Sequence, residues 1–371
     1  MRISQPVEAD MRLATWSFHT YRLPYERPVQ WSDVVEDAAE FLLLKVVSDT
    51  GHTGVAEMTL KTTWTGASRR SLVATLEDML LIHIQKKSID DTSAVRRIMD
   101  IFPGNLAAKA LLDNALWDLY AASSGQALWR TWHGRSEIPL TWVLTRQTPA
   151  LMVAEAVAVQ AKFDFKAIKV KGGQGLDTDV RAMHELKLAL GSSVRLYVDA
   201  NGAYPLEAAL DYVKAMADAG AEVVEDPCLL RPDAAFEQLQ LATDIPVLVD
   251  FGCESLRDAQ LFMGCGARAF SLKPGRFGLT DTMQMSKLAA KANCKVVIGM
   301  FGESALGTLP ALCFASTLPS SALPAEMTWF LAMKKQVITR GIEIKHGMAI
   351  LSDQPSCASL VDWDRVAALP G

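Results

Sequence analysis

From Ile138 onward, short apolar runs recur along the chain, each closed by a polar residue and followed by a stretch of helical spacing. They are AIKV (Ala167–Val170), RLYV (Arg195–Val198), EVV (Glu222–Val224), PVLV (Pro246–Val249), AFSL (Ala269–Leu272) and KVVIG (Lys295–Gly299). Brief apolar runs alternating with helical segments are the pattern of parallel βα units. The residues that close successive runs, Lys171, Asp199, Glu225, Asp250 and Lys273, lie 28, 26, 25 and 23 positions apart, the length of one such unit. IPLTWVL (Ile138–Leu144) supplies a first strand and the segment around Leu323–Glu326 a last one, so about eight units are predicted. A closed barrel with an appended N-terminal domain is the economical reading. An open doubly wound sheet uses the same units but carries a glycine-rich phosphate loop, and Gly172-Gly173-Gln174-Gly175 lacks that spacing.

The first part of the chain has a mixed texture. AAEFLLLKVV (Ala38–Val47) reads as strand and AAKALLDNALWDLYAA as helix, which predicts an α+β domain over 1–134, a barrel over 135–335 and a C-terminal segment, 336–371, packing on the first domain. With 371 residues, 50% hydrophobic and 21% charged, the chain can bury a large core. Its net charge of -5 and the lack of a Lys/Arg block exclude a nucleic-acid partner. A polar N-terminus and no long apolar run predict neither signal peptide nor membrane span, hence a cytoplasmic protein. Cys228, Cys253, Cys265, Cys294, Cys313 and Cys357 stand singly in apolar segments, without zinc-like spacing, and read as reduced core residues.

Chemistry enters through the ends of the runs. In a parallel barrel the C-terminal ends of all strands share one rim, so Lys171, Asp199, Glu225, Asp250 and Lys273 converge. Three carboxylates in one pocket repel one another unless a cation lies between them, and oxygen ligands select Mg²⁺, with Mn²⁺ as substitute. Lys169 and Lys171, two apart on a strand, point to the same face, into the barrel mouth. Lys273 enters from the far side, giving a lysine near each face of a substrate held on the metal. A neighbouring ammonium and desolvation lower a lysine pKa from about 10.4, and Lys169 is placed to do this to Lys171. Such a site suits removal of a proton beside a carboxylate, with the resulting enolate stabilised by the metal and Lys169. Alone, a K-x-K is a solvated strand face and an Asp after a strand a helix cap; five such residues at βα intervals are not.

At these positions the sequence resembles the enolase superfamily and, within it, the muconate-lactonizing (muconate cycloisomerase) subgroup. The resemblance rests on IKVKGG (Ile168–Gly173), VDANGAY (Val198–Tyr204), VEDP (Val224–Pro227), PVLVD (Pro246–Asp250) and LKPGRFGLT (Leu272–Thr280), supported by ALWDLYAASSGQAL and GMFGESALGT. It implies a (β/α)7β TIM-like barrel capped by an α+β domain. It further implies Asp199, Glu225 and Asp250 as Mg²⁺ ligands, Lys171 and Lys273 as acid and base on opposite faces, and Lys169 as tuner of Lys171 and contact to the substrate carboxylate. Asn201 is a supporting hydrogen-bond residue or a simple turn residue. The family usually has Asp-Glu-Ser where this chain has Asp250-Phe251-Gly252, which puts the hydrogen bonding around the third ligand in doubt.

The resemblance leaves the reaction open. Pro324-Ala325-Glu326-Met327-Thr328-Trp329 lacks the Asp-x-Asp with which dipeptide epimerases hold an ammonium, and looks more like the cycloisomerase pattern. Substrate-binding candidates are Lys169, Glu303, Glu326, His19 and Trp64, with Trp16, Phe18, Tyr21, Lys61 and Thr65 nearby in sequence; equally, the aromatic ones suit a domain-interface core. The reading is an Mg²⁺-dependent cycloisomerase acting on a small-molecule carboxylate in a homo-oligomer. Racemisation, epimerisation or dehydration of an amino-acid or proline derivative, of the N-acylamino-acid racemase and o-succinylbenzoate synthase kind, is the alternative. A catalytically inactive binding homologue predicts a gap in the residue set, and none is seen. A nicotinamide-dependent oxidoreductase leaves the convergent carboxylates and the K-x-K unexplained.

Overall fold

The computed structural model describes residues 10–31, 34–89 and 91–371. The expectation drawn from the polar N-terminus falls on residues 1–9, outside them. Three antiparallel strands, β1 (Leu13–Gln30), β2 (Val35–Ser48) and β3 (Thr53–Thr59), form the N-terminal sheet. The near-continuous apolar run of β2 follows from burial on both faces. Leu42, Leu44 and Val46 pack into one cluster with Leu76, Leu80 and Leu111, while Phe41 and Leu43 alternate into a second cluster shared with the barrel. Pro24 and Pro28 each lack a ladder donor, and the β1–β2 register slips between Pro24 and Val29. This irregular stretch leads directly into Trp31, which lines the candidate site.

Helix α1 (Leu106–Ser124) has no solvent face between Ala108 and Ala121, so its polar members must find partners inside the protein. Asp113 accepts from the Thr280 amide at 2.9 Å and its hydroxyl at 2.6 Å. Asn114 accepts from the Leu279 amide at 2.9 Å and donates to the Pro274 carbonyl at 3.0 Å. Asp118 accepts from the amides of Val55 at 2.9 Å and Cys357 at 2.7 Å. One helix therefore pins the N-terminal sheet, a barrel helix and the C-terminal segment together.

The predicted first strand is two. β4 (Glu137–Pro139) pairs with the tail, and only β5 (Thr141–Leu144) enters the barrel sheet. β6 (Ala167–Lys171), β7 (Arg195–Asp199), β8 (Val224–Glu225), β9 (Val247–Val249), β10 (Ala269–Leu272) and β11 (Lys295–Ile298) follow in sequence order in one parallel seven-stranded sheet. The helices between and after them are α2 (Pro149–Phe163), α3 (Leu176–Leu190), α4 (Leu206–Asp218), α5 (Ala234–Leu241), α6 (Leu256–Gly264), α7 (Pro274–Lys291) and α8 (Ala305–Ala315). The expected last strand is not regular. Ala325 makes a single parallel bridge to Leu140, and Glu326 donates its amide to the Ile298 carbonyl at 2.9 Å, which joins the two edges of the sheet. Pro324, lacking an N–H, cannot extend the ladder. The fold is a TIM-like barrel with an N-terminal capping domain.

β12 (Glu343–Lys345) and β13 (Met348–Ile350) form a hairpin whose turn residues His346 and Gly347 have φ of 49° and 75°, and β13 pairs with β4. Helix α9 (Trp363–Ala368) lies against β1, with Trp363 edge-on to His19. No helix among the described residues is long and apolar enough to cross a membrane, and the six cysteines are free.

Candidate active site

Alternation along the barrel strands decides which side chains enter. Ile168 and Val170 on β6, and Leu196 and Val198 on β7, face the surrounding helices as part of the main core. Lys169, Lys171, Tyr197 and Asp199 take the opposite face. Tyr197, Val223, Leu248, Ala269, Val297 and Leu323 form a separate buried cluster that plugs the barrel interior beneath the rim. Above this plug stand the five predicted rim residues, all buried.

The structure brings the lysines and carboxylates together. Lys171 Nζ is 2.6 Å from Asp199 Oδ2 and donates to Asn201 Oδ1 at 3.2 Å. Lys169 Nζ lies 3.1 Å from Asp199, 2.7 Å from Glu225 and 3.1 Å from Glu326, whose Oε1 also accepts the Tyr197 hydroxyl at 2.7 Å. Lys273 Nζ is 2.5 Å from Asp250 Oδ2, and Arg276 holds Oδ1 of the same carboxylate at 2.9 Å. Burial opposes ionisation of Asp199 and Asp250, but the surrounding cations outweigh it. Lys169 and Lys171 hold Asp199 well below the usual carboxylate range, and Arg276 and Lys273 bring Asp250 to about 2. Burial also penalises the charge on Lys169, yet Asp199, Glu225 and Glu326 raise its pKa far above the ordinary value.

Glu225 is the exception. Both its oxygens are buried without a well-aligned hydrogen bond, and although the Lys169 ammonium lies 2.7 Å away, burial together with Asp199 pushes its pKa well up. Buried carboxylate oxygens left without hydrogen bonds at this point, with oxygen the only donor atom, fit a hard divalent cation that Asp199, Glu225 and Asp250 would hold. In the present conformation Lys169 stands among the carboxylates, and among the described residues no three of them are closed on one point. Ion binding would therefore move the Lys169 ammonium away from Glu225.

A cavity of about 280 Å³ opens over this rim. Lys169, Lys171, Asn201, Asp250, Lys273 and Glu326 form its barrel side; Trp31, Val34, Glu36, Thr63 and Trp64 come from the capping domain; Leu229, Phe251 and Met300 complete the walls. A neighbouring cavity of about 340 Å³ shares Leu229 and is lined by Tyr204, Leu230 and Phe236, but contains none of the rim lysines or rim carboxylates. Of the substrate-contact candidates, Trp64 and Glu326 line this cavity. His19 does not. It bonds Ser17 at 3.0 Å and packs on Trp363, because alternation on β1 directs it toward the tail. Glu303 also misses the cavity: its Oε2 accepts the Phe301 amide at 2.6 Å, and it lines a small internal space beside Glu57. Trp16 and Phe18 pack on the capping core, and Tyr21 donates to buried Glu57.

Four participants were not predicted. Trp31 follows the end of β1 and Glu36 lies near the start of β2, beyond the irregular stretch of β1; a tryptophan after two closely spaced prolines was the available signal. Arg276 sits three residues after Lys273, one helical turn on, and its charge was the signal. Asp226 has a φ of 37° and accepts the amides of Asp250 and Phe251, fixing the turn that presents Asp250. The Phe251-Gly252 departure also has a physical reason. Phe251 covers Lys273 and Arg276 at 5.6 and 5.1 Å, and a Cβ at position 252 would come 2.8 Å from the Leu230 carbonyl oxygen, so a serine does not fit.

Comparison with known proteins agrees with this geometry. The family model for the enolase C-terminal domain-like fold matches residues 151–358, and that for the mandelate racemase/muconate lactonizing enzyme N-terminal domain matches residues 17–131. The chain belongs to the enolase superfamily. It falls in the muconate-lactonizing group and is an enzyme, an isomerase or epimerase of that superfamily. Chloromuconate cycloisomerase CbnB of Cupriavidus necator is 26% identical over 343 residues, covering 90% of this chain and 92% of the relative. L-Ala-D/L-Glu epimerase of Bacillus subtilis is 26% identical over 302 residues, covering 80% and 82%. The muconate lactonizing enzyme of Pseudomonas fluorescens, solved with muconolactone, superposes with a TM-score of 0.91 at 21% identity over 97% of this chain and 99% of that one. Enzymes of this group generally use Mg²⁺.

Proposed function

We propose that the protein isomerises a small carboxylate substrate by moving a proton at the carbon next to the carboxylate, with Lys171 and Lys273 as the two proton-transferring groups. The observation that carries this reading is their placement. They extend from β6 and from the end of β10, the second and sixth strands of the barrel, so they stand across one cavity from each other. A base on one face and an acid on the other can take a proton and return it without either side chain moving far. Lys169 and Tyr197 hold Glu326, and the cap closes the cavity with tryptophans that exclude water. Asp199, Glu225 and Asp250 would hold a Mg²⁺ ion, which when bound would supply positive charge to offset the negative charge that develops on the substrate carboxylate.

Cycloisomerisation of a muconate is the first reading of the reaction, supported by the apolar residues after Glu326 and by the cycloisomerase relative. Racemisation or epimerisation of an amino-acid derivative is the second. It is favoured by the carboxylate that the cap contributes to the cavity, Glu36, and by the epimerase relative. The test is proton exchange in D₂O with Mg²⁺ and a panel of muconates, muconolactones, N-acylamino acids, dipeptides and proline derivatives, followed by NMR. Deuterium should enter at the carbon beside the carboxylate, and Lys171→Ala and Lys273→Ala should each slow its entry by about a hundredfold or more. Exchange that persists undiminished in both variants would remove the lysines from the reaction.

A further inference from the structure

Among the described residues the capping domain presents one carboxylate to this cavity, that of Glu36. Its Oε2 accepts the Trp31 indole N–H at 3.1 Å and the ammonium of Lys61. Lys61 is itself committed. Its side chain is 4% exposed, its Nζ lies 4.9 and 4.5 Å from the ring centres of Trp31 and Trp64, and it lies outside the cavity lining. A cation enclosed between two indole faces and salt-bridged is not free to meet a ligand. Glu36 therefore shows the cavity an anchored carboxylate whose Oε1 takes no donor among the described residues. Behind it a polar groove of about 640 Å³ continues outward, lined by Glu36, Asp37 and Glu40 against Arg22 and Lys61. Arg22 is bound to Asp37 at 2.6 Å and lies 3.9 Å from Glu40, so the groove too carries an excess of acceptors.

We propose that Glu36 selects substrates carrying a hydrogen-bond donor, above all an ammonium group, on the portion facing the cap, and discriminates against a second carboxylate there. The substrate class is then a carboxylate with a cationic or donor-bearing side chain, which favours the second reading above, an amino-acid derivative, over a muconate, whose second carboxylate would meet Glu36. This rests on the proposed function in one respect, that the reacting carboxylate is held on the barrel side of the cavity. A fixed, half-buried carboxylate facing an ammonium gains a charge-assisted hydrogen bond, whereas facing another carboxylate it meets repulsion.

Three probes share one backbone and differ in charge: Nα-acetyl-lysine, Nα-acetyl-norleucine and Nα-acetyl-glutamate. Their binding to the Mg²⁺-loaded protein is read by calorimetry, and exchange of the α proton in D₂O by NMR. The lysine derivative should bind about tenfold tighter than the norleucine derivative, and the glutamate derivative most weakly. In the double variant Glu36→Gln/Lys61→Met, which leaves no unpaired buried charge, the three affinities should converge. A glutamate derivative binding as tightly as the lysine derivative, an order that survives in the double variant, or no binding of any probe each overturns the assignment. The predicted binding order without α-proton exchange would support Glu36 while counting against proton transfer on this class. Exchange at equal rates on all three would retain proton transfer and remove Glu36 as selector.

Discussion

Glu303 lies against the barrel rim yet outside the cavity, and burial sets its behaviour. Its carboxyl is pushed up to about 7 from 4.5, chiefly by burial; Glu57 adds to the rise, while the Phe301 amide and Lys273 oppose it. Between those two values the folded protein keeps a proton that the unfolded chain has released, so stability must fall as pH rises through the window. The contribution is full below about 4.5 and gone above about 7, a change on the order of 3 kcal/mol. Glu303→Gln removes the titrating group, so the stability difference between wild type and variant, measured by urea denaturation, should shift by that amount between pH 4.5 and 8. A difference that stays flat would show that Glu303 ionises normally. Position in the sequence could not distinguish this residue from a ligand-binding one, since both follow a strand. The five rim residues were legible because each closes a strand and shares its spacing with the next. His19 lies away from the cavity, against Trp363, because aromatic composition says nothing about which face of a strand a side chain takes.

The helix that follows Lys273 shows what an element adds to its residues. α7 is two helical pieces joined at Gly278, whose φ and ψ of 78° and 162° interrupt the hydrogen-bond ladder. The break lies against α1, where Asp113 and Asn114 take the amides of Thr280 and Leu279. A Cβ at Gly278 would lie 2.6 Å from Asp113 Oδ2, on a backbone conformation that other residues adopt at a cost of about 1–3 kcal/mol. Gly278→Ala should therefore lower the melting temperature and reduce α-proton exchange, because the same clamp holds Pro274, the residue next to Lys273. Gly264→Ala, at the end of α6 with open space around its Cβ, is the matching control and should melt no lower than wild type. Equal melting of the two variants would show that the kink is not under constraint. The βα rhythm made the strands of the barrel readable, but not this kink or the reduction of the eighth strand to one bridge. Both depend on contacts with segments far away in sequence.

At the scale of the molecule, the cap has a core of its own around Leu44, Leu76 and Leu111 but also shares one with the barrel. One hydrophobic cluster runs from Tyr21 and Phe41 of the N-terminal sheet through Trp117 of α1 to Ile168, Val198 and Leu272 of the barrel. Polar contacts reinforce it: Glu57 on β3 accepts the Ser304 amide at 2.9 Å and the hydroxyls of Ser304 and Tyr21, and Arg96 donates to the Phe277 carbonyl at 2.8 Å. Domains joined through a small polar surface unfold in separate steps, whereas a shared core makes each part depend on the other. The protein should therefore unfold in one transition, with far-UV circular dichroism and tryptophan fluorescence superimposing across a urea titration. Glu57→Ala tests the coupling most directly. It leaves the Tyr21 hydroxyl and the Ser304 amide buried without an acceptor, at a cost of about 1–3 kcal/mol for each group. With a shared core this loss moves the whole transition to lower urea and keeps the two probes coincident. If the cap were an independent unit, the same lesion would separate the curves, with the capping domain melting first and the barrel unfolding at its former midpoint. The distinction bears on function as well, since five of the residues lining the cavity belong to the cap, and a cap that opened on its own would expose the lysines to water before the barrel was lost.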